Sequence, residues 1–285
     1  PEKQYVGTPA AVVVKRVDKN GTEVTATYTP TVTKVTPTSK DDTSTGVQGI
    51  PQSASPVFTP GNPAVPMDDS VPMTFEDGSS TKTVPNVGVY TINPDGSITF
   101  TPDKQFVGTP DPVTVKRVDK NETEVTATYT PTVTKVTPTS TDATSNGLQG
   151  QAQSGKPTFT AGDQQIPIDM SKAMTFENGT DTLVVADQGT YTINSDGSIT
   201  FTPDKQFTGK ATPVRVKRVD ANGTEITATY TPEVTKVTPT GKDATSTNIK
   251  GHVQTGKPVF EAGDPLVPID ETVEPSFEDG SKEKT

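Results

Sequence analysis

The chain holds one histidine and no cysteine in 285 residues, so few side chains could do chemistry. At a spacing of 101 residues, His252 aligns with Gln151 and Ile50. A lone imidazole without a cysteine or serine partner has nothing to activate. A fuller set is Lys15, Asn20 and Glu23, which returns as Lys116, Asn121 and Glu124, and again as Lys217, Asn222 and Glu225. An amine, a carboxamide and a carboxyl within one short stretch are the ingredients of an intramolecular Lys–Asn amide cross-link. That reaction needs a desolvated, unprotonated lysine beside a protonated acid. Here the lysines lie in a polar alternation beside arginine and a turn, which predicts solvated ammonium groups and no bond.

The carboxylates form the other candidates. Asp18, Asn20 and Glu23 in "DKNGTE" look like part of a calcium loop, and "FEDG" (Phe75 to Gly78) and "FENG" (Phe176 to Gly179) carry a weaker version. A calcium loop of this kind needs more oxygen ligands and an acidic residue at its twelfth position. Polar turns explain the same letters, and the Asn-X-Thr sequons at Asn20, Asn121, Asn178 and Asn222 read as turns as well. No catalytic, cofactor-binding or metal-binding residue is assigned, no cofactor is expected, and the chain is not expected to be an enzyme.

The elements that hold these residues are repeated. "ATYTPTVTKVTPTS" at residues 26–39 returns unchanged at 127–140 and, with two changes, at 228–241. Tyr28, Tyr129 and Tyr230 are spaced by 101, as are Phe58, Phe159 and Phe260. A fixed period marks an array, and this one is too long for a solenoid unit but suits one small domain per repeat. The expected frames are an incomplete repeat over 1–39, complete repeats over 40–140 and 141–241, and a second incomplete repeat over 242–285. The polar stretches near 40, 141 and 242 are the expected joints. Because "PEKQY" at the start aligns with "PDKQF" at 102–106, the sequence reads as a window on a longer protein, with any export signal or anchor outside it. Neither incomplete copy is expected to complete a core.

Within a repeat, period-two alternation predicts strands. Tyr90 and Ile92 face one way and Asn93-Pro94-Asp95-Gly96 reverses the chain; Ile98 and Phe100 then return on the same face. A second hairpin runs through "VVVKRVDKNGTEVTATYTP". A β-bulge near Lys15-Arg16 is expected to bring Val17 to the core face. The replacement of Gly21 by Glu122 in the next copy favours a loop longer than two residues. Pro30 places the last strand at an edge or a bulge. About seven short strands per repeat and no useful amphipathic helix predict an all-β tandem array of immunoglobulin-like or fibronectin-like β-sandwiches. Phe58, Phe75, Tyr90, Phe100, Phe106 and Tyr129 form the expected aromatic core.

A net charge of −10 argues against nucleic acid or an anionic membrane surface as partner. No apolar stretch approaches the ~20 residues of a membrane span.

The motifs "GxYTINxDGSITFTPDKQFxG" and "VKRVDxNxTE(V/I)TATYTPxVTKVTPT", with a period near 100, resemble the CshA-type fibril repeats of streptococcal surface proteins. The resemblance implies an extracellular, cell-wall-anchored fibril of a Gram-positive bacterium in which such repeats form the stalk. It also implies that fibronectin and other adhesive partners are bound by non-repetitive regions outside this segment, while each repeat meets its neighbours in the chain. The leading expectation is therefore a spacer that projects an adhesive tip. The alternative is that the repeats are themselves weak, multivalent binding modules for host matrix, glycan or neighbouring fibrils.

Overall fold

The structure, a computed structural model, describes residues 1–284. Among these residues there are twenty-five strands and no helix. The chain divides into two compact units, the first being Pro1–Thr137 and the second beginning at Pro138.

The first unit opens with an incomplete copy that has two strands, β1 (Val12–Val17) and β2 (Glu23–Tyr28). The complete copy follows with ten: β3 (Thr38–Lys40), β4 (Asp42–Val47), β5 (Gln52–Ala54), β6 (Val57–Thr59), β7 (Thr74–Phe75), β8 (Thr81–Val84), β9 (Gly88–Ile92), β10 (Ile98–Pro102), β11 (Val113–Val118) and β12 (Glu124–Thr134). Seven were expected; several of the extra ones span only two or three residues. The sheets run β5-β10-β9-β8 and β4-β12-β11-β7, with β3 and β6 paired separately. All pairings are antiparallel except β12 with β4.

The fold is the expected immunoglobulin-like β-sandwich. Tyr90, Ile98 and Phe100 from the first sheet meet Phe75, Val113, Val115, Ala127, Tyr129 and Val133 from the second in one buried cluster. Tyr90 and Phe100 oppose each other across the β9–β10 ladder and stack with ring centroids 4.5 Å apart. Tyr129 meets Tyr90 edge-on at 6.1 Å, the geometry that aromatic quadrupoles favour. Phe58 and Phe106 are half-buried at the margin of this cluster.

The β9–β10 turn is built as its letters require. Asn93 N–H donates to Ser97 O (2.8 Å) and Gly96 N–H donates to Asn93 O (2.9 Å), with Gly96 at φ +82°. Asp95 Oδ1 accepts Ser97 N–H at 2.9 Å. In the second unit Ser195 stands at the proline position, and the equivalent bonds from Asn194 and Gly197 are unchanged at 2.8 and 2.9 Å. The backbone network sets this turn, and the proline only biases it.

Two expectations about the second hairpin are overturned. Its register is unbroken from Val113↔Tyr129 to Val118↔Glu124, with no bulge. Continuous alternation puts Arg117, not Val118, on the face of Val113 and Val115, at the rim. There its guanidinium reaches Asp69 Oδ1 at 2.7 Å. The long stem lets arginine cover apolar surface while its head leaves the core. Nor is β12 an edge strand, since it lies between β4 and β11. Pro131 falls where the β11 ladder has ended at Tyr129 and before Val133 N–H donates to Gly108 O. Its missing donor therefore costs no ladder bond. The loop at 119–123 is the longer one expected, with Asp119 N–H donating to Thr123 O (3.1 Å) and Glu122 N–H to Asp119 O (2.8 Å), but it does not spare Glu122, which still takes a left-handed φ of +66°.

The second unit repeats this plan in β13 (Thr139–Thr141), β14 (Ala143–Leu148), β15 (Gln153–Gly155), β16 (Thr158–Thr160), β17 (Thr175–Phe176), β18 (Thr182–Val185), β19 (Gly189–Ile193), β20 (Ile199–Pro203), β21 (Gly209–Lys210), β22 (Val214–Val219) and β23 (Glu225–Thr235). An incomplete copy follows with β24 (Thr240–Lys242) and β25 (Val259–Glu261). Tyr191 and Tyr230 keep the 6.1 Å edge-on contact. Unlike Pro110, Ala211 has an N–H to donate, and it bonds Pro232 O at 3.0 Å. The same segment is held by Thr212 N–H donating to Gln188 Oε1 at 2.8 Å, and Tyr191 Oη donates to Thr212 O at 2.7 Å. The Tyr90 hydroxyl of the first unit is buried with no such acceptor.

Both incomplete copies leave apolar side chains in solvent. Val12, Val14 and Tyr28 are exposed at one end of the chain, as are Phe260, Val259 and Phe277 at the other.

Candidate functional site

The Lys–Asn–Glu set comes together as surface ion pairs. Lys15 Nζ lies 3.0 Å from Glu23 Oε1, Lys116 lies 3.7 Å from Glu124, and Lys217 lies 3.4 Å from Glu225. Each pair crosses its hairpin on the outer face. All six side chains are at least one-third solvent-exposed or close to it, so the ammonium groups stay hydrated and the pairs contribute little. Asn121 sits in the turn, where its backbone N–H is held by Asp119.

That aspartate is the most constrained of the candidate carboxylates. Asp119 is fully buried, and its Oδ1 accepts the N–H groups of Asn121 (2.9 Å) and Thr123 (2.8 Å). Asp220 repeats the arrangement with Asn222 and Thr224. Asp18 makes the same two bonds in solvent, and the Thr22 and Asn20 amides hold its carboxyl below the usual carboxylate range. The residue that looked like a calcium ligand caps a turn from inside. Asp77 and Asn178 cap the "FEDG" and "FENG" turns through Ser79 and Thr180. Among the described residues no group of three or more His, Cys, Asp or Glu is placed to hold a metal ion. His252 is exposed in the last, incomplete copy.

A polar group that the motif reading missed lies at the edge of the core. Ser44 Oγ is 2.5 Å from Gln52 Oε1 and 2.6 Å from Tyr129 Oη, and Gln52 Nε2 donates to Thr132 O at 3.2 Å. Ser145, Gln153 and Tyr230 build the same rivet in the second unit. It ties β4, β5 and β12 together. The signal was present as a serine and a glutamine eight residues apart in each copy (44/52, 145/153, 246/254). Burial raises the pKa of all four core tyrosines, taking Tyr90 up to about 12. These hydroxyls are therefore neutral, and those of Tyr129, Tyr191 and Tyr230 act as hydrogen-bonding groups.

A groove of about 720 Å³ lies in the complete copy of the first unit. Pro56, Phe58, Met73 and Ile92 line it, with Arg117 and Asp69 at the rim. The size is that of a small-ligand site, although no set of reactive side chains converges on it.

The sequence decides the family. The repetitive domain of the surface adhesin CshA matches residues 1–32, 34–133, 135–234 and 236–285. The chain belongs to that family. The CshA frames begin six residues upstream of the 40–140 and 141–241 frames read from the sequence, so that β3 and β13 fall inside them. Repeat domain 13 of the fibrillar adhesin CshA from Streptococcus gordonii is 71% identical over 25% of this chain and 90% of its own length, with a TM-score of 0.16. Mouse cadherin-23 domains EC22–24 are 12% identical over 80% of this chain and 74% of theirs, with a TM-score of 0.31. The I9–I11 tandem from titin is 15% identical over 79% and 74%, with a TM-score of 0.25. No curated protein matches the chain. The CshA repeats thus place this chain among surface adhesins, a non-enzymatic kind of protein.

Proposed function

We propose that the chain is a structural segment of a bacterial surface fibril, a stalk that holds an adhesive tip away from the cell wall for attachment to host or to other bacteria. One observation carries this reading. In the two complete copies the residues that recur at the period go into cores and turns: the tyrosine pairs, the buried aspartate caps and the Ser–Gln–Tyr rivets. What remains outward is largely threonine and paired charge, which suits a hydrated strand surface. Length then scales with the number of copies, and the net negative charge keeps neighbouring stalks apart. The setting is extracellular, on a wall-anchored protein of a Gram-positive bacterium. Neither nucleic acid nor membrane insertion has a part in it, nor does catalysis.

The second reading, in which the repeats bind partners themselves, is favoured by the groove of about 720 Å³. Solid-phase binding of the purified chain to host matrix proteins, including fibronectin, to glycans and to partner cells separates the two. A spacer gives no saturable binding. Saturable binding that disappears with Phe58→Ser or Arg117→Ala overturns the spacer reading in favour of the groove.

A further inference from the structure

In the second unit the segment joining one copy to the next is held on both sides. In the second unit the chain leaves the complete copy through Lys236-Val237-Thr238-Pro239. Val237 N–H donates to Gln149 Oε1 at 3.2 Å, and Gln149 Nε2 donates to Lys205 O at 3.1 Å. The side chain of Gln149 therefore clips the departing backbone onto the copy it is leaving. One residue later the backbone seats on the copy it is joining. A Cβ on Gly263 would lie 2.4 Å from Thr238 O and 2.6 Å from its carbonyl carbon, closer than side chains approach backbone. Gly263 has no positive φ that demands glycine, so close approach is what the missing side chain permits. A third tie bypasses the segment: Gln151 Nε2 of the complete copy donates to Leu266 O of the following one at 3.1 Å.

The first unit shows the same parts on two different segments, the glycine seat at Thr36 and the glutamine clip at Val136. Gly61 lies against Thr36, where a Cβ would come 2.3 Å from the carbonyl oxygen. Val136 N–H donates to Gln48 Oε1 at 3.2 Å, and Gln48 Nε2 donates to Lys104 O at 2.9 Å. Here too a contact bypasses the segment: Lys3 Nζ is 3.0 Å from Glu122, and Gln4 Nε2 donates to Asn121 O. A free polar linker would need none of these bonds.

We propose that each such segment is a latch rather than a hinge: glutamine fixes its start, glycine seats its middle, and the partner surface of each copy is the copy next to it. This deepens the spacer reading and rests on it for its purpose, though not for its geometry. A stalk made of hinges would collapse as a coil, whereas latched joints add a constant step.

The chain has no cysteine, so a pair of spin labels can be placed cleanly. Val184→Cys sits in the complete copy at 70% exposure, and Glu271→Cys sits on the exposed surface of the copy that follows. Pulsed electron resonance on the full, labelled chain should return one narrow distance. Gly263→Val should abolish the narrow component, and Gln149→Ala should broaden it while leaving the melting of the complete copy unchanged. A broad distribution in the otherwise unsubstituted chain overturns the latch. So does a narrow one that survives both substitutions. Should Gly263→Val unfold its own copy, Gln149→Ala still decides, since it lies on the other copy. Saturable matrix binding would sink the spacer reading while leaving these distances untouched, so the two failures are separable.

Discussion

Residues 26–39 and 127–140 are the same fourteen letters in the same chain, yet Tyr28 is 63% exposed and Tyr129 is fully buried. The hairpins that contain them are identical in register, with Val12↔Tyr28 matching Val113↔Tyr129. Even the turns close alike, Asp18 and Asp119 each capping two amides. Strand formation and turn closure are thus local properties of this stretch. Burial is not. The lid over Tyr129 comes from β4, β9 and β10, which lie upstream of β11, and residues 1–11 supply no such strands to Tyr28. A hairpin alone is marginal in water, and a sandwich face makes it stable.

The widest gap should appear on deleting the ring. Tyr129→Ala removes a buried aromatic and should cost about 3–5 kcal/mol, a large part of a domain's ~5–15 kcal/mol. Tyr28→Ala should stay within about 0.5 kcal/mol. Urea denaturation of the full chain reads both. Similar losses for the two would mean that the first copy buries its tyrosine after all. The second unit has its own core, so its transition should not move.

Alkali should attack only the buried side of the comparison. Tyr90 rises from 10.0 to about 12 because burial disfavours the phenolate, with nearby Tyr129 adding to it. Tyr191 moves the same way for the same reasons. A folded-state pKa above the unfolded one means that the unfolded chain gives up its proton first. Stability is then complete below about pH 10 and falls as the pH rises towards 12. Phenolate absorbance from the core tyrosines should rise together with loss of the β-sheet dichroism. Full ionisation with the sheets intact would contradict the burial.

The rivet offers a finer probe. Ser44→Ala leaves Tyr129 Oη and Gln52 without their shared partner at the core's edge and should cost about 1–3 kcal/mol. Ser246 bonds Gln254 at 2.9 Å in an exposed, incomplete copy, so Ser246→Ala should change nothing measurable. Equal effects would show that the bond to glutamine, rather than the tyrosine and its burial, carries the energy.

Hairpins, turns, the aromatic core and the family were legible because each rests on local spacing or on the 101-residue period. Tyr90, Phe100 and Tyr129 could be assigned from alternation alone, and the four-residue turn at Asn93 from its letters. The position of β12 was not legible. Pro131 suggests an edge to any rule that counts donors, and only the gap between two partners, Val113 and Gly108, makes it harmless in mid-sheet. Arg117 was misplaced for a related reason. A charged residue on an inward position reads as a register error until the rim acceptor Asp69, 48 residues upstream, is seen. The rivet depends on three strands meeting, which no single window of sequence contains.

The smallest expected effect concerns the one letter in which the two turns differ. Gly21 takes φ +82° in the first copy and Gly223 +85° in the third, while Glu122 is held at +66° in the second. A side chain in the left-handed region costs about 1–2 kcal/mol, and Glu122→Gly removes that strain. Two terms oppose the gain. Glycine frees the unfolded chain by about 0.4–1 kcal/mol, and the exposed pair with Lys3 is lost, which matters little at the surface. The balance should be a stabilisation of the second copy of roughly 0.5 kcal/mol, seen as a small rise in its urea midpoint. Gly21→Glu in the first copy should cause no measurable change in that midpoint, because its hairpin supports no core. A fall on Glu122→Gly would mean that the contact of Lys3 with Glu122 outweighs the backbone, and that the second copy retains glutamate for its neighbour at the expense of its own turn.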